Sequence, residues 1–161
     1  LLFRSPTCTK VDEMAAKALA LIAGIDIEEH AKKMFQEGSN LRGKTAEEIC
    51  YQDFKVFHAN ETAFGVGQIS FLDEDEIQEV KAELKGYLNE AMENQKLDMI
   101  FMMLTNILEE SSQVLYAGAH AKQVLLDAFQ VTEEGEDISL KGIVSRKKQM
   151  IPALVNCLNE E

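Results

Sequence analysis

Residues 97–104, Leu-Asp-Met-Ile-Phe-Met-Met-Leu, form a nearly continuous apolar run of strand length. A strand with no polar alternation is one covered on both faces, and such strands sit in the middle of sheets flanked by helices. Extended to residue 108, the stretch is still interrupted by Asp98 and Asn106, too short and too polar to span a bilayer. The rest of the chain has to supply neighbouring strands and two helical layers.

It does so by switching period. Thr9-x-x-Asp12 is a capping-box pattern, followed at helical spacing by Val11, Met14, Ala15, Ala18 and Ile22, with Gly24 as the stop. Asp26-x-x-Glu29 opens a second helix with Ile27, Ala31, Met34 and Phe35 inward and Gly38 at its end, and Thr45-x-x-Glu48 opens a short third one. Residues 54–59 then alternate as a strand, and 62–72 read as its partner, with a bulge at Gly65 and Gly67 and a tight connection at Asn60-Glu61. Asp73-x-x-Glu76 starts a long acidic helix to about residue 94, whose inner stripe is Ile77, Val80, Leu84, Tyr87, Leu88 and Ala91. After the central run come a loop at 109–112, a strand at 114–117, a helix at 120–129, an acidic turn at 133–137 and a last strand at 138–144. Pro152 limits the final helix: either it starts near the proline, or residues 146–149 form a separate first turn. The expected fold is α/β, a mixed five-stranded sheet with helices packed on it, plus an N-terminal helical hairpin. A chain of 161 residues is expected to form a single domain.

The formal net charge of −12 argues against nucleic acid and against anionic membrane surfaces, since both need many cations facing phosphates. It does not exclude a small anion, because a local field can oppose the net charge. Three widely spaced cysteines, Cys8, Cys50 and Cys157, without a CxxC pair, fit reduced cytosolic thiols and hence a cytoplasmic protein. The opening residues have no signal-peptide anatomy and no initiator Met, which reads as a fragment of a longer protein.

No HExxH, GxSxG, Walker lysine loop or GxGxxG occurs, and His30, His58 and His120 have no ligand-like spacing. One cluster stands out. Ser145-Arg146-Lys147-Lys148 sits where a strand gives way to a helix. Cations are disfavoured at a helix N-terminus, so their presence there makes sense if an anion occupies the spot, with phosphate the first candidate. A solvated basic turn is the competing reading. Lys55 is the other odd residue, in a strand beside Phe54, Val56 and Phe57, where a snorkelling side chain explains it equally well.

Residues 2–9, Leu-Phe-Arg-Ser-Pro-Thr-Cys-Thr, residues 52–55, Gln-Asp-Phe-Lys, and residues 142–149, Gly-Ile-Val-Ser-Arg-Lys-Lys-Gln, occur in that order. Together they resemble the C-terminal part of the family II inorganic pyrophosphatases of the DHH phosphoesterase superfamily. The resemblance covers essentially the whole chain and implies a hydrolase that splits pyrophosphate into two phosphates. It implies Mn2+, or Co2+ or Mg2+, held by an N-terminal Asp-His-His domain that this chain lacks, so that no metal ligand and no catalytic residue is expected here. Residues 1–9 would be the linker to that domain, beginning just after its last metal-binding aspartate. The family's substrate-binding lysine falls on Lys55, and the arginine and first lysine of its Ser-Arg-Lys-Lys-Gln motif fall on Arg146 and Lys147. Lys148 matches the motif without an implied contact, and Arg4 stands where many members have lysine. The expected partners are pyrophosphate or phosphate and the N-terminal domain, and a homodimer of the full-length protein stays open. Other readings are a related phosphoesterase acting on short polyphosphate, a non-catalytic phosphate- or nucleotide-binding module, and, resting only on the acidic helix, a protein-interaction domain.

Overall fold

A computed structural model of the chain describes residues 3, 8–38, 41, 43–72, 74–132 and 137–160. Arg4, most of the Ser-Pro-Thr stretch, the Asp73 cap and residues 133–136 of the acidic turn lie outside the described residues. The chain divides into two compact units, Leu1–Asn40 and Leu41–Glu161.

The first unit holds α1 (Lys10–Ala23) and α2 (Ile27–Gly38). The Thr9 hydroxyl accepts from the Asp12 N–H at 3.2 Å while the Asp12 carboxylate accepts from the Thr9 N–H at 2.8 Å, so two orphan donors of the helix start are satisfied reciprocally. The Thr9 hydroxyl, donating to the Asp12 carboxylate at 2.7 Å, and the Thr9 N–H together hold the Asp12 carboxyl below its ordinary pKa. Gly24, at φ +65°, closes α1 in the left-handed conformation. In α2, Ile27 and Ala31 are half-buried, whereas Met34, expected inward, is exposed. The Phe35 side chain lies outside the described residues.

The second unit is built on one sheet in the order β1-β2-β3-β4-β5, with β1 (Phe54–Ala59), β2 (Thr62–Phe71), β3 (Met99–Asn106), β4 (Ser111–Ala117) and β5 (Ile138–Lys141). Only β2 and β3 run parallel; every other pair is antiparallel, so the sheet is mixed. β3 lies in the middle and all of its residues are buried. Helices α3 (Ala46–Tyr51) and α4 (Glu74–Asn94) cover one face, over Ile69, Phe71, Ile100, Met102, Leu104 and Leu115. The other face, with Phe64, Val66, Phe101, Met103 and Val114, lies under α5 (Ala121–Phe129) and α6 (Ile151–Glu160). The α4 stripe is as expected: Ile77, Val80, Leu84, Leu88 and Ala91 are buried and Tyr87 packs at the margin.

Three readings of the sheet need correction. No bulge interrupts β2: Gly65 pairs with Val56 and Ile100, and Gly67 with Phe54 and Met102, in unbroken register. The glycines answer to space instead. A Cβ at Gly65 would strike the Phe54 ring and come within 2.8 Å of Leu97, and one at Gly67 would strike the Met102 sulfur. Ser111 and Ser112 are not loop but the start of β4, because the Ser112 hydroxyl is fully satisfied inside the sheet. The last strand ends at Lys141, since Gly142 takes φ +78° and turns the chain, its N–H donating to the Glu110 carbonyl at 2.8 Å.

Beside α4, the almost buried Lys81 donates to Gln113 at 2.8 Å and pairs with Asp137, which Lys85 also approaches at 2.6 Å. Burial alone would raise the Asp137 pKa, but hydrogen bonds from Lys81 and Lys85 and their charges lower it. Cys50, wholly buried, has its thiol pushed up to about 11 by burial and is a packing residue.

Two outcomes follow. Gly65→Ala forces Phe54 from its edge contact with Tyr51 and destabilises the unit by about 1–3 kcal/mol in urea unfolding. Because the Asp137 pKa is lowered by folding, its stabilising contribution is present above the unfolded value near ~4 and is lost as pH falls through the folded one. Asp137→Asn therefore flattens the acid limb of stability against pH, measured by denaturant midpoint from pH 6 to about 3.

Candidate functional site

Gln68, half-buried on β2, points to the α5/α6 face among apolar neighbours, where its amide finds its partners in protein. Its Nε2 donates to the Val144 carbonyl at 3.0 Å and to Thr105 Oγ1 at 2.9 Å, and its Oε1 accepts from the Arg146 N–H at 3.2 Å. Since a carbonyl only accepts and an N–H only donates, these partners fix the orientation of the amide. The same logic orders the hydroxyls behind it. Ser112 gives its single proton to the Ile143 carbonyl at 2.6 Å, so Thr105 is the donor in the 2.9 Å contact between the two hydroxyls. Residues 143–146 are thus pinned to a polar row crossing β2, β3 and β4.

The segment is also tied within itself. Gln149 Oε1 accepts from the N–H groups of Val144 and Ser145, each at 3.0 Å, and its Nε2 donates to the Gly142 carbonyl at 2.8 Å. Ser145 Oγ accepts from the Lys148 N–H at 3.2 Å. Arg146–Met150 is a π-helical turn that continues into α6 at Ile151, with the Met150 N–H reaching back to the Ser145 carbonyl at 3.2 Å. Pro152 accounts for the wide winding: it has no N–H to offer the Lys148 carbonyl, and its ring would crowd that carbonyl in a normal α-turn. The basic residues therefore form a separate first turn, as one of the two expected arrangements had it, wound wider than an α-helix.

Arg146 reaches from this turn to the start of β1. Its Nη1 donates to the Asp53 and Val66 carbonyls, the latter at 3.3 Å, and its Nη2 donates to Asp53 Oδ1 at 2.7 Å. Lys55 stands two residues beyond Asp53 and opposite Val66 in the ladder. It shares its face with Phe57 and Ala59, which pack into the α5/α6 core, so it stands on the face that carries the π-helical turn. Lys55 and Arg146 thus meet at one corner of the sheet. Lys147 follows Arg146 in the same turn with an exposed side chain. Among the described residues, neither Lys55 nor Lys147 makes an ion pair, whereas the Arg146 side chain is only 11% exposed and tied to a 53% exposed Asp53.

Sequence reasoning gave no role to Asp53, Gln68 or Gln149. A glutamine inside a strand covered on both faces was the available signal for Gln68, because a buried amide has to be bonded to something. Nothing local marks Asp53 as the partner of a residue so distant in sequence. His30, His58 and His120 are all exposed. Among the described residues no group of three or more His, Cys, Asp or Glu could hold a metal ion. No helix among the described residues is long and apolar enough to cross a membrane.

Fold and corner together define an α/β domain that presents cations on an open sheet margin. The chain belongs to the DHHA2 domain family, whose sequence profile matches residues 32–157. It is 41% identical to a cobalt-dependent inorganic pyrophosphatase of Clostridium perfringens, over 98% of this chain and 29% of that protein. It is 39% identical to the manganese-dependent inorganic pyrophosphatase of Bacillus subtilis, over 99% of this chain and 52% of that protein. The crystal structure of a Methanococcus jannaschii protein assigned to the family II inorganic pyrophosphatases superposes with a TM-score of 0.81 at 37% identity, over 98% of this chain and 51% of that one. The chain spans about half the length of the Bacillus and Methanococcus proteins and less of the Clostridium one.

Gln149→Ala leaves the Val144 and Ser145 N–H groups without acceptors and costs about 1–3 kcal/mol. Hydrogen exchange at those two amides speeds up well before global unfolding, whereas unchanged protection there would show that Gln149 does not hold the segment.

Proposed function

We propose that this chain is the substrate-gripping C-terminal domain of a metal-dependent inorganic pyrophosphatase, and that Lys55, Arg146 and Lys147 bind the phosphoryl groups of pyrophosphate. The observation that carries the reading is the meeting of Arg146 and Lys55 at one sheet corner from residues far apart in sequence. The relatives' names supply the substrate and the Mn2+ or Co2+ dependence. The metal ligands lie on an N-terminal domain of the same protein, which works in the cytoplasm.

The chemistry suits the residues. Hydrolysis of a phosphoanhydride builds negative charge on the leaving phosphate, and cations placed beforehand stabilise it without reorganising at the moment of reaction. Arg146 offers a planar donor fork already fixed by the protein, matched to oxyanion geometry. Lys55 and Lys147 are compact charges on flexible stems that can follow the substrate as its charge shifts. A metal held on the other domain would supply the activated water.

In the full-length protein, Arg146→Ala and Lys147→Ala each lower kcat/KM for pyrophosphate by about 100-fold or more, and Lys55→Ala acts in the same direction. The 161-residue chain alone hydrolyses no pyrophosphate with Mn2+ present. Parent-like kinetics in the Arg146 and Lys147 variants would sink the reading, and a substrate panel preferring tripolyphosphate would move the assignment to a polyphosphate-cleaving relative.

A further inference from the structure

Arg146 is held in an unusual way. Three of the five N–H donors of a guanidinium are committed to protein oxygens, two of them on Asp53: its backbone carbonyl and its carboxylate Oδ1. The two backbone contacts, to the Asp53 and Val66 carbonyls, both start from Nη1 and leave Nη2 unheld. The third contact, from Nη2 to the Asp53 carboxylate at 2.7 Å, holds the second nitrogen as well and completes the fix of the guanidinium against the start of β1.

Two N–H donors remain for a ligand, and their direction is set by the plane that Asp53 fixes. Asp53 is held in turn, because its carbonyl also accepts from the Gln68 N–H at 3.0 Å, and Gln68 anchors the Arg146 backbone. One β1–β2 junction therefore positions both ends of the arginine.

We propose that Asp53 is the positioning residue for Arg146, aiming its uncommitted N–H groups at an oxyanion and keeping them aimed when the site is empty. The inference rests on the substrate-binding reading of Arg146. A carboxylate near a phosphate site repels the ligand, so Asp53 can favour binding only through the arginine it holds. That sets Asp53 apart from a residue that touches substrate.

The test is a double-mutant cycle in the full-length protein with Mn2+, read as kcat/KM for pyrophosphate. Asp53→Ala is expected to lower it about 10–100-fold, the range seen when the partner that orients a binding group is removed. Asp53→Asn keeps an oxygen acceptor at the same place and is expected to stay within roughly threefold of the parent, the loss reflecting only the weaker uncharged bond. In an Arg146→Ala background, Asp53→Ala is expected to cost nothing further, because the group it positions is gone. An additive loss in the double variant, Asp53→Asn as impaired as Asp53→Ala, or a parent-like Asp53→Ala would each overturn the proposal. If Asp53→Ala does not fold, Asp53→Ser, whose hydroxyl is too short to reach Nη2, takes its place in both backgrounds with the same expected losses. An Arg146→Ala protein with parent kinetics would instead remove the substrate-binding reading itself, so the two failures are distinguishable.

Discussion

Burial of β3 on both faces is the constraint from which the site follows. A central strand with helices above and below leaves little water for polar side chains on its neighbours. Gln68, Thr105 and Ser112 nevertheless sit on the α5/α6 face, and their hydrogen-bonding capacity has to be met by protein. The chain meets it with the carbonyls of Ile143 and Val144 and the N–H of Arg146. What looks from outside like a basic surface turn is, from inside, the lid over a buried polar row. Its position is over-determined, since displacing it would strand several groups at about 1–3 kcal/mol each.

That anchoring separates the three cations by mobility. Arg146 is fixed at both backbone and guanidinium, while Lys55 and Lys147 carry their charges free among the described residues. A guanidinium offers direction and loses little by being frozen, because its donors already lie in one plane. An ammonium offers charge in any direction and is best left flexible. The acidic excess of the whole chain does not by itself set the sign of the field at this corner, because a local field can oppose the net charge.

Much of the fold was legible from period and punctuation. The capping boxes at Thr9 and Thr45, the α4 stripe, the all-buried β3 and the two-residue turn between Ala59 and Thr62 are local patterns with local causes. The misreadings came where a local signal had a distant cause. Gly65 and Gly67 look like a bulge, but their reason is the Phe54 ring and the Met102 side chain on neighbouring strands. Ser111-Ser112 looks like a loop, but Thr105 and the Ile143 carbonyl satisfy Ser112 inside the sheet. The π-helical winding at residues 146–150 was half visible, because Pro152 announced that something had to give without saying what. Within the candidate site, residue types pointed to Arg146, Lys147 and, through resemblance, Lys55. Their proximity and the roles of Gln68 and Asp53 exist only once β1 and β2 have paired.

An acid placed among cations proposed to grip an anion looks like a flaw until its two effects are compared. Asp53 would oppose a phosphate through space, but its carboxylate is more than half exposed, and water weakens that repulsion. Its attraction for Arg146 acts at 2.7 Å on a side chain almost out of solvent, where hydrogen bonding and charge reinforce each other. An arginine left loose on the surface would have to surrender on the order of 2 kcal/mol of rotamer freedom each time it met a ligand. Held by Asp53, it surrenders that freedom once, when the sheet forms, and binding no longer bears the cost. The carboxylate weakens the field at the corner and in exchange fixes its geometry, and geometry is what distinguishes a site from a patch of positive charge.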